Sequence, residues 1–169
     1  MLRRWTDLGF AQSLAMLDAV VPVVQLGADR TDIERVVYVA AFSVSSGGGQ
    51  VPSGTLSAQD RDVELVAAWA SRSLNALGLN VYFTEAPPFA GSNSPLSSTT
   101  AVPPTANVLG ITGPPVIVGA LGYEAAAGVT IELPLRGVVV PRGRRIVLES
   151  DALSSTMNGG FCWRELDNR

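Results

Sequence analysis

Two short groups of acidic residues are the candidates for chemistry in this chain. They comprise Asp29, Asp32 and Glu34, and Asp60, Asp62 and Glu64. On a strand, the alternate spacing of the second group would place its carboxylates on one face, where they could bind calcium or flank a glycosidic bond. Neither group has the glycine and final glutamate of a calcium loop. We therefore interpret both as solvated surfaces, and the sequence assigns no catalytic, cofactor-binding or metal-binding residue.

The amino-acid types that are missing exclude most enzymatic mechanisms. The 169 residues contain no histidine and no lysine, and Cys162 is the only cysteine. A zinc site needs about four nitrogen or sulfur ligands. A Ser-His-Asp triad lacks its base, and a P-loop or a Schiff base lacks its lysine. We therefore predict a non-enzymatic protein without a cofactor, and hydrolysis catalysed by a pair of carboxylates, chiefly of glycosides, remains the only enzymatic hypothesis.

The charge balance bears on the possible partners. The net charge is −3, only 16% of the residues are charged and 47% are hydrophobic. An acidic chain of this kind is not typical of nucleic-acid binding. Its low charge fits either a surface that is buried against other subunits or a tightly packed β-protein with Ala, Gly and Ser on exposed loops. No apolar run reaches the roughly 18 residues of a membrane span, and no leader peptide is visible. Arg142, Arg144 and Arg145 are interpreted as a solvated turn that also protects a strand edge.

Six aromatic side chains could supply a platform for stacking sugars. They are Trp5, Trp69, Trp163, Tyr38, Tyr82 and Tyr123. Four of them lie within apolar runs and are therefore predicted to pack in the core, namely Trp69, Trp163, Tyr38 and Tyr82. Cys162 is predicted to be a buried, inert thiol.

The C-terminal third predicts a series of short β-strands. The runs are Val116–Val118, Val129–Leu133, Gly137–Val140, Arg145–Glu149 and Gly160–Trp163. Two predicted turns separate the later runs, at Pro141–Gly143 and at Met157–Gly160. This alternation of strands and breakers is typical of an antiparallel sandwich or barrel.

The N-terminal half predicts fewer regular elements. Residues 1–19 could form an extended arm or a short helix, and Val20–Leu26 is predicted to be an edge strand. A strand that is buried on both sides is predicted over Glu34–Val44. Ser45–Gly54 is predicted to be a flexible loop.

The middle of the chain contains an ambiguous segment. In Ser57–Gly78, apolar residues fit a helical spacing, but Val63, Leu65, Ala67 and Trp69 also alternate as in a strand. The neighbouring strands favour the strand. Leu79–Thr84 is predicted to be a strand, and Pro87–Pro115 is predicted to be a long Pro/Ser/Thr-rich loop that is functional or draped over a neighbour.

These patterns together predict a mainly β protein. We expect an antiparallel, jelly-roll-like β-sandwich with room for one or two short helices. Residues 20–169 would form the single domain, with the loop at 87–115, and residues 1–19 would form the arm or short helix.

The C-terminal passage Gly137–Ser150, with its Pro-Arg-Gly turn, is followed by Phe161-Cys-Trp-Arg-Glu165. It resembles the end of small β-sandwich virion proteins of tailed bacteriophages. The resemblance covers about the last 30 residues. It implies a structural subunit such as a capsid decoration or cement protein, or a collar, tail or fibre component, made in the host cytoplasm and assembled into the virion.

Two non-enzymatic hypotheses follow. In the first, the protein forms a homo-oligomer and binds a phage major capsid, tail or collar protein, without nucleic acid or membrane as a partner. In the second, it is a carbohydrate- or receptor-binding β-sandwich module, which would require exposed tryptophan or tyrosine side chains beside polar groups.

Overall fold

The computed structural model describes residues 36–72, 77–85, 96–97, 103–116 and 121–167, and within these ranges the chain forms strands and loops without a helix. The strands are β1 (Tyr38–Ser45), β2 (Val51–Ser57), β3 (Val63–Arg72), β4 (Leu77–Thr84), β5 (Leu96–Ser97), β6 (Asn107–Gly113), β7 (Leu121–Ala125), β8 (Ile131–Leu133), β9 (Val139–Val140), β10 (Arg145–Ser150) and β11 (Thr156–Glu165). In the part of the chain described here, no helix is long and apolar enough to cross a membrane.

The strands form two antiparallel sheets that pack face to face. Sheet A has the order β5-β1-β11-β3-β8, with β9 also paired to β3, and sheet B has the order β6-β2-β10-β4-β7. Without β5, β6 and β9, the two sheets read β1-β11-β3-β8 and β2-β10-β4-β7. In this order the first strand pairs with the last and the second with the last but one, as in a jelly roll. The predicted jelly-roll-like β-sandwich is therefore confirmed.

The segment between β4 and β7 is an insertion that extends both sheets. β4 and β7 are neighbours in sheet B, although residues 85–120 separate them in the chain. From this segment, β5 pairs with β1 at one edge of sheet A, and β6 pairs with β2 at one edge of sheet B. The prediction of a loop throughout 87–115 is therefore wrong. The surrounding prolines and hydroxyl residues favoured a loop. The sequence of β6 itself, NVLGITG, contains two glycines and therefore gave only a weak strand pattern.

The first four residues of β2, Val51–Gly54, belong to the segment that was predicted to be a loop. Every residue of β2 is buried, so its two faces give no alternation of apolar and polar residues. Leu56 belongs to the core, whereas Ser53, Thr55 and Ser57 face the other side and are buried there. Small hydroxyl residues that are buried on the outer face therefore account for the missed strand.

The core lies between the sheets and is centred on aromatic side chains of β1 and β11. Tyr38 and Trp163 are fully buried, with ring centroids 5.7 Å apart, and Phe42 lies 6.1 Å from Phe161. The prediction that Tyr38 and Trp163 pack in the core is confirmed. β1 buries only alternate residues, so the prediction of a strand buried on both sides is wrong.

The strand interpretation of the ambiguous middle segment is confirmed for β3, which is hydrogen-bonded to β11 on one side and to β8 on the other. Val116 lies outside the strands, and residues 117–118 of the predicted strand there lie outside the described residues. The same holds for the predicted arm or helix at 1–19 and the predicted strand at 20–26.

Candidate functional site

The outer faces of the two sheets differ in their exposure. In sheet B, Val147 and Glu149 of β10 point away from the core, since Ile146 and Leu148 alternate with them and belong to it. Both outward side chains are nevertheless buried, at 4% and 2% exposure. In sheet A, the outward residues of β1, β3 and β11 are mostly half-buried or exposed. The surfaces that this sandwich offers to partners are therefore the outer face of sheet A and the edges of the sheets.

The edge strand β6 is held at its beginning by a buried carboxylate. Glu165, at the end of β11, is 1% exposed. Its Oε1 accepts hydrogen bonds from the N–H of Thr105 at 2.5 Å, from the Thr105 hydroxyl at 3.0 Å and from the N–H of Ala106 at 2.7 Å. Three donors that converge on a single carboxylate oxygen fix the chain at the point where it enters β6.

A second buried carboxylate holds the chain after β6. The N–H of Val116 donates to the Glu149 carboxylate, at 3.0 Å from Oε1 and 3.2 Å from Oε2, and the Tyr82 hydroxyl donates to Oε2 at 2.9 Å. Val116 therefore lies over the outer face of β10, the middle strand of sheet B. Burial raises the pKa of Glu149, although its hydrogen bonds from Tyr82 and Val116 oppose this shift. Burial and the bond to Glu149 also raise the pKa of Tyr82.

These two contacts make β6 a preorganised strand at the edge of a sheet. Within the described residues, β6 pairs with β2 alone. Its sequence has no charged residue and no proline, although proteins commonly place such residues on edge strands to prevent pairing with other chains. Gly110 and Thr112 are exposed. We define Asn107–Gly113 as the β6 edge.

A groove of about 470 Å³ crosses the outer face of sheet A. Trp69 lies in it, since the strand register aligns Trp69 with Gly160 and Gly160 with Ala41. A side chain on Gly160 would collide with the indole ring, so the ring packs directly against the backbone of β11. We call this the Trp69 groove, and its further lining residues include Ser43, Ser71, Thr130 and Asn158.

The prediction that Trp69 packs in the core is wrong, and a β-bulge is the reason. The pairing of β3 with β11 shifts between Cys162 and Trp163, which are opposite Ala67 and Leu65. The extra residue, Val66, reverses the alternation along β3. Val63 and Leu65 face the core, but beyond the bulge Ala68 and Ala70 do so. Trp69 consequently points outward.

The other aromatic predictions have mixed outcomes. Tyr82 is only half-buried and lies on the outer face of sheet B, so its predicted core position is also wrong. Tyr123 is half-buried and packs against the core. Cys162 lies two residues from Gly160 on the outer face of sheet A. Burial raises the pKa of its thiol, which therefore stays protonated at neutral pH.

The second acidic group, Asp60, Asp62 and Glu64, does not form a metal site in the described part of the chain. Asp60 and Asp62 precede β3, so the three acidic residues do not alternate along one strand. The Asp62 carboxylate accepts the N–H of Arg142 at 2.7 Å. In the described ranges, no group of three or more His, Cys, Asp or Glu residues could hold a metal ion. Asp29, Asp32 and Glu34 lie outside the described residues.

The arginines that were predicted to form one solvated turn lie in different environments. Arg144 pairs with the exposed Glu85 carboxylate at 2.6 Å, as expected for a solvated turn. Arg145 is only 5% exposed, and burial lowers its pKa. It lies on the same face of β10 as Glu149, so the prediction of a solvated turn is wrong for this residue.

We expect Glu165→Ala to lower the free energy of unfolding by about 3 kcal/mol, because it leaves buried donors at Thr105 and Ala106 without an acceptor. Glu165→Gln should lose less, because its amide oxygen can keep the three bonds without the charge. Glu124→Ala, at an exposed position in β7, is the control. Chemical denaturation measures the stability, and hydrogen exchange should show the loss of protection concentrated in β6. Equal stability of all three variants would contradict the role of Glu165.

The raised pKa of Glu149 predicts a specific pH dependence. In the unfolded chain this carboxyl ionises near its ordinary pKa of 4.5. In the folded state it keeps its proton to a higher pH. Its contribution to stability is therefore fully present below the ordinary pKa and is lost as the pH rises through the higher pKa of the folded state.

Denaturation of the wild-type protein and of Glu149→Gln across this range should reveal the difference. The wild-type protein should lose stability relative to the variant as the pH rises, whereas the hydrogen bonds altered by glutamine give an offset that does not change with pH. Glu124→Gln, at an exposed position, should show the wild-type change of unfolding free energy with pH. The expectation fails if the unfolding free energy of Glu149→Gln changes with pH as that of the wild-type protein does.

Comparisons with protein-family models, with curated proteins and with solved structures gave no match to this chain. The function is therefore argued from the chemistry of the β6 edge and the Trp69 groove.

Proposed function

We propose that this chain is a non-enzymatic structural protein of a phage virion, in particular a capsid decoration or cement protein. It self-associates and binds a major capsid, tail or collar protein. Two features support the proposal: the resemblance of the C-terminal passage to phage virion proteins, and the jelly-roll strand order, which occurs in viral capsid domains as well as in lectins. A fold of this kind hosts several functions, so the proposal depends on a surface.

The surface that carries the proposal is the β6 edge. This seven-residue strand is uncharged, and Glu165 and Glu149 fix the chain on either side of it. β6 is already held in position. Pairing with an incoming strand would therefore cost little conformational entropy in β6 itself. Backbone hydrogen bonds to such an edge provide affinity, and the alternate side chains provide specificity.

The absence of charge on the β6 edge also suits pairing between identical copies. Two copies related by a two-fold axis would present the same residues to each other, so that any charge near the axis would face a like charge. The pair β6–β6 would join two copies of sheet B into one continuous sheet. The same edge could instead accept a strand of a capsid, tail or collar protein.

We expect the wild-type protein to be a stable oligomer, and Thr112→Lys to convert it largely to monomer. Thr112 is exposed on the β6 edge, and a lysine there would place like charges at the shared edge. The mass of each protein is measured by light scattering after size-exclusion chromatography. Leu153→Lys is the matched control, because Leu153 is 52% exposed in the loop between β10 and β11.

Either of two results would contradict this part of the proposal. A wild-type protein that is monomeric at all accessible concentrations excludes self-association. An oligomer that survives Thr112→Lys excludes the β6 edge as the contact. Leu153→Lys should have the same mass in solution as the wild-type protein, whichever result is obtained.

The virion location has its own test. Particles of the phage that encodes this chain are banded by density, and their proteins are identified and counted by mass spectrometry. We expect this chain to band with the particles in many copies each, as a repeated structural subunit would. Its absence from washed particles, with the major capsid protein detected, would refute a virion role.

A further inference from the structure

The Trp69 groove has the dimensions and lining of a small-molecule site. Its volume of about 470 Å³ falls within the ~300–1,000 Å³ that is usual for ligand pockets. Its floor is the pleated surface of β1, β11 and β3. Trp69, Ala41 and Phe42 are its hydrophobic lining residues.

The indole ring is held in a defined position. It packs over Gly160 of β11, where any larger residue would displace it. Trp69 is half-buried, so one part of the ring contacts the protein and another part remains accessible from the groove. A flat aromatic surface that is fixed in this way attracts ligands with polarised C–H groups through its negative face.

Short neutral polar side chains line the groove beside the indole. Ser43 pairs in register with Asn158, and Asn158 pairs with Ser71. This row runs across three neighbouring strands, so it extends over about 10 Å, and it lies about 7 Å along the strands from the row that contains Trp69. Thr130 also lines the groove. Hydroxyl and amide groups of this kind donate and accept hydrogen bonds without requiring a charged ligand.

We infer that the Trp69 groove binds a neutral saccharide. One pyranose ring stacks its apolar face on the indole, and its hydroxyls hydrogen-bond to the row of Ser43, Asn158 and Ser71. No charged side chain is among the described lining residues, and the chain carries a net charge of −3. Both features disfavour anionic ligands such as phosphates, nucleic acids or sialylated glycans.

The same features favour a saccharide over a second copy of the chain. The core of an interface between copies is usually apolar and continuous. Here the hydrophobic lining residues are Trp69, Ala41 and Phe42, of which Phe42 belongs to the core, and polar groups lie beside the indole. A saccharide has the matching pattern, an apolar ring face surrounded by hydroxyls. The groove would bind it whether or not the chain belongs to a virion.

The test begins with a glycan array that displays neutral and anionic oligosaccharides, probed with the wild-type protein. We expect binding to neutral glycans. The strongest of them is then titrated against the protein in solution by isothermal titration calorimetry, which does not depend on the indole that the variants remove. Trp69→Ala should weaken binding about tenfold or more through loss of the stacking surface, and Trp69→Phe should weaken it less. Ser71→Ala should weaken it about fivefold through loss of one hydrogen bond.

The matched control is Phe83→Ala, which removes an aromatic side chain that is 47% exposed on sheet B and should leave binding unchanged. Circular dichroism and thermal unfolding verify that each variant is folded. If Trp69→Ala does not fold, Ser71→Ala and Asn158→Ala provide the test. The inference is overturned if the folded wild-type protein binds no neutral glycan, binds only anionic ones, or binds equally well after the groove substitutions.

Discussion

The burial of two carboxylates is the constraint on which the β6 edge depends. A buried carboxylate is costly unless donors surround it. Glu165 and Glu149 obtain those donors from the backbone at Thr105, Ala106 and Val116, on either side of β6. A backbone N–H cannot rotate away as a side chain can. The carboxylates and the inserted segment therefore stabilise each other, and the result is an extra edge strand.

A pair of glycines imposes a second constraint, one that couples the core to the outer groove. Consecutive residues of a strand point to opposite faces. Gly159 accordingly makes room for Phe42 in the core, where a side chain would come within 2.6 Å of that ring, and Gly160 makes room for Trp69 on the outside. One dipeptide of β11 thus allows an aromatic ring to pack closely on each side of the same strand.

The sequence predicted the fold class and the strands in which alternation is visible, namely β4 and the part of β11 over Gly160–Trp163. β10 was also predicted, from its run of apolar residues, although it is buried on both faces. Prediction from the sequence failed where burial or local geometry removes alternation. β2 is buried on both faces, and the glycines of β11 resemble a turn until their neighbours are known. The orientation of Trp69 depends on the bulge at Val66, which arises from pairing with β11. The partners of Glu149 and Glu165 are likewise distant in sequence, so no local pattern could identify the β6 edge.

The β6 edge and the Trp69 groove are geometrically compatible in one subunit. Pairing at β6 extends sheet B in its own plane, whereas the groove opens perpendicular to sheet A on its outer face. A partner strand at the edge therefore adds hydrogen bonds without lying over Trp69. The residues of the β6 edge and the described lining residues of the groove carry no charge, so each surface relies on fixed backbone or ring geometry. Repetition of the subunit in an oligomer would place several identical grooves on one assembly, and weak binding of a single saccharide ring would then be strengthened by multivalency.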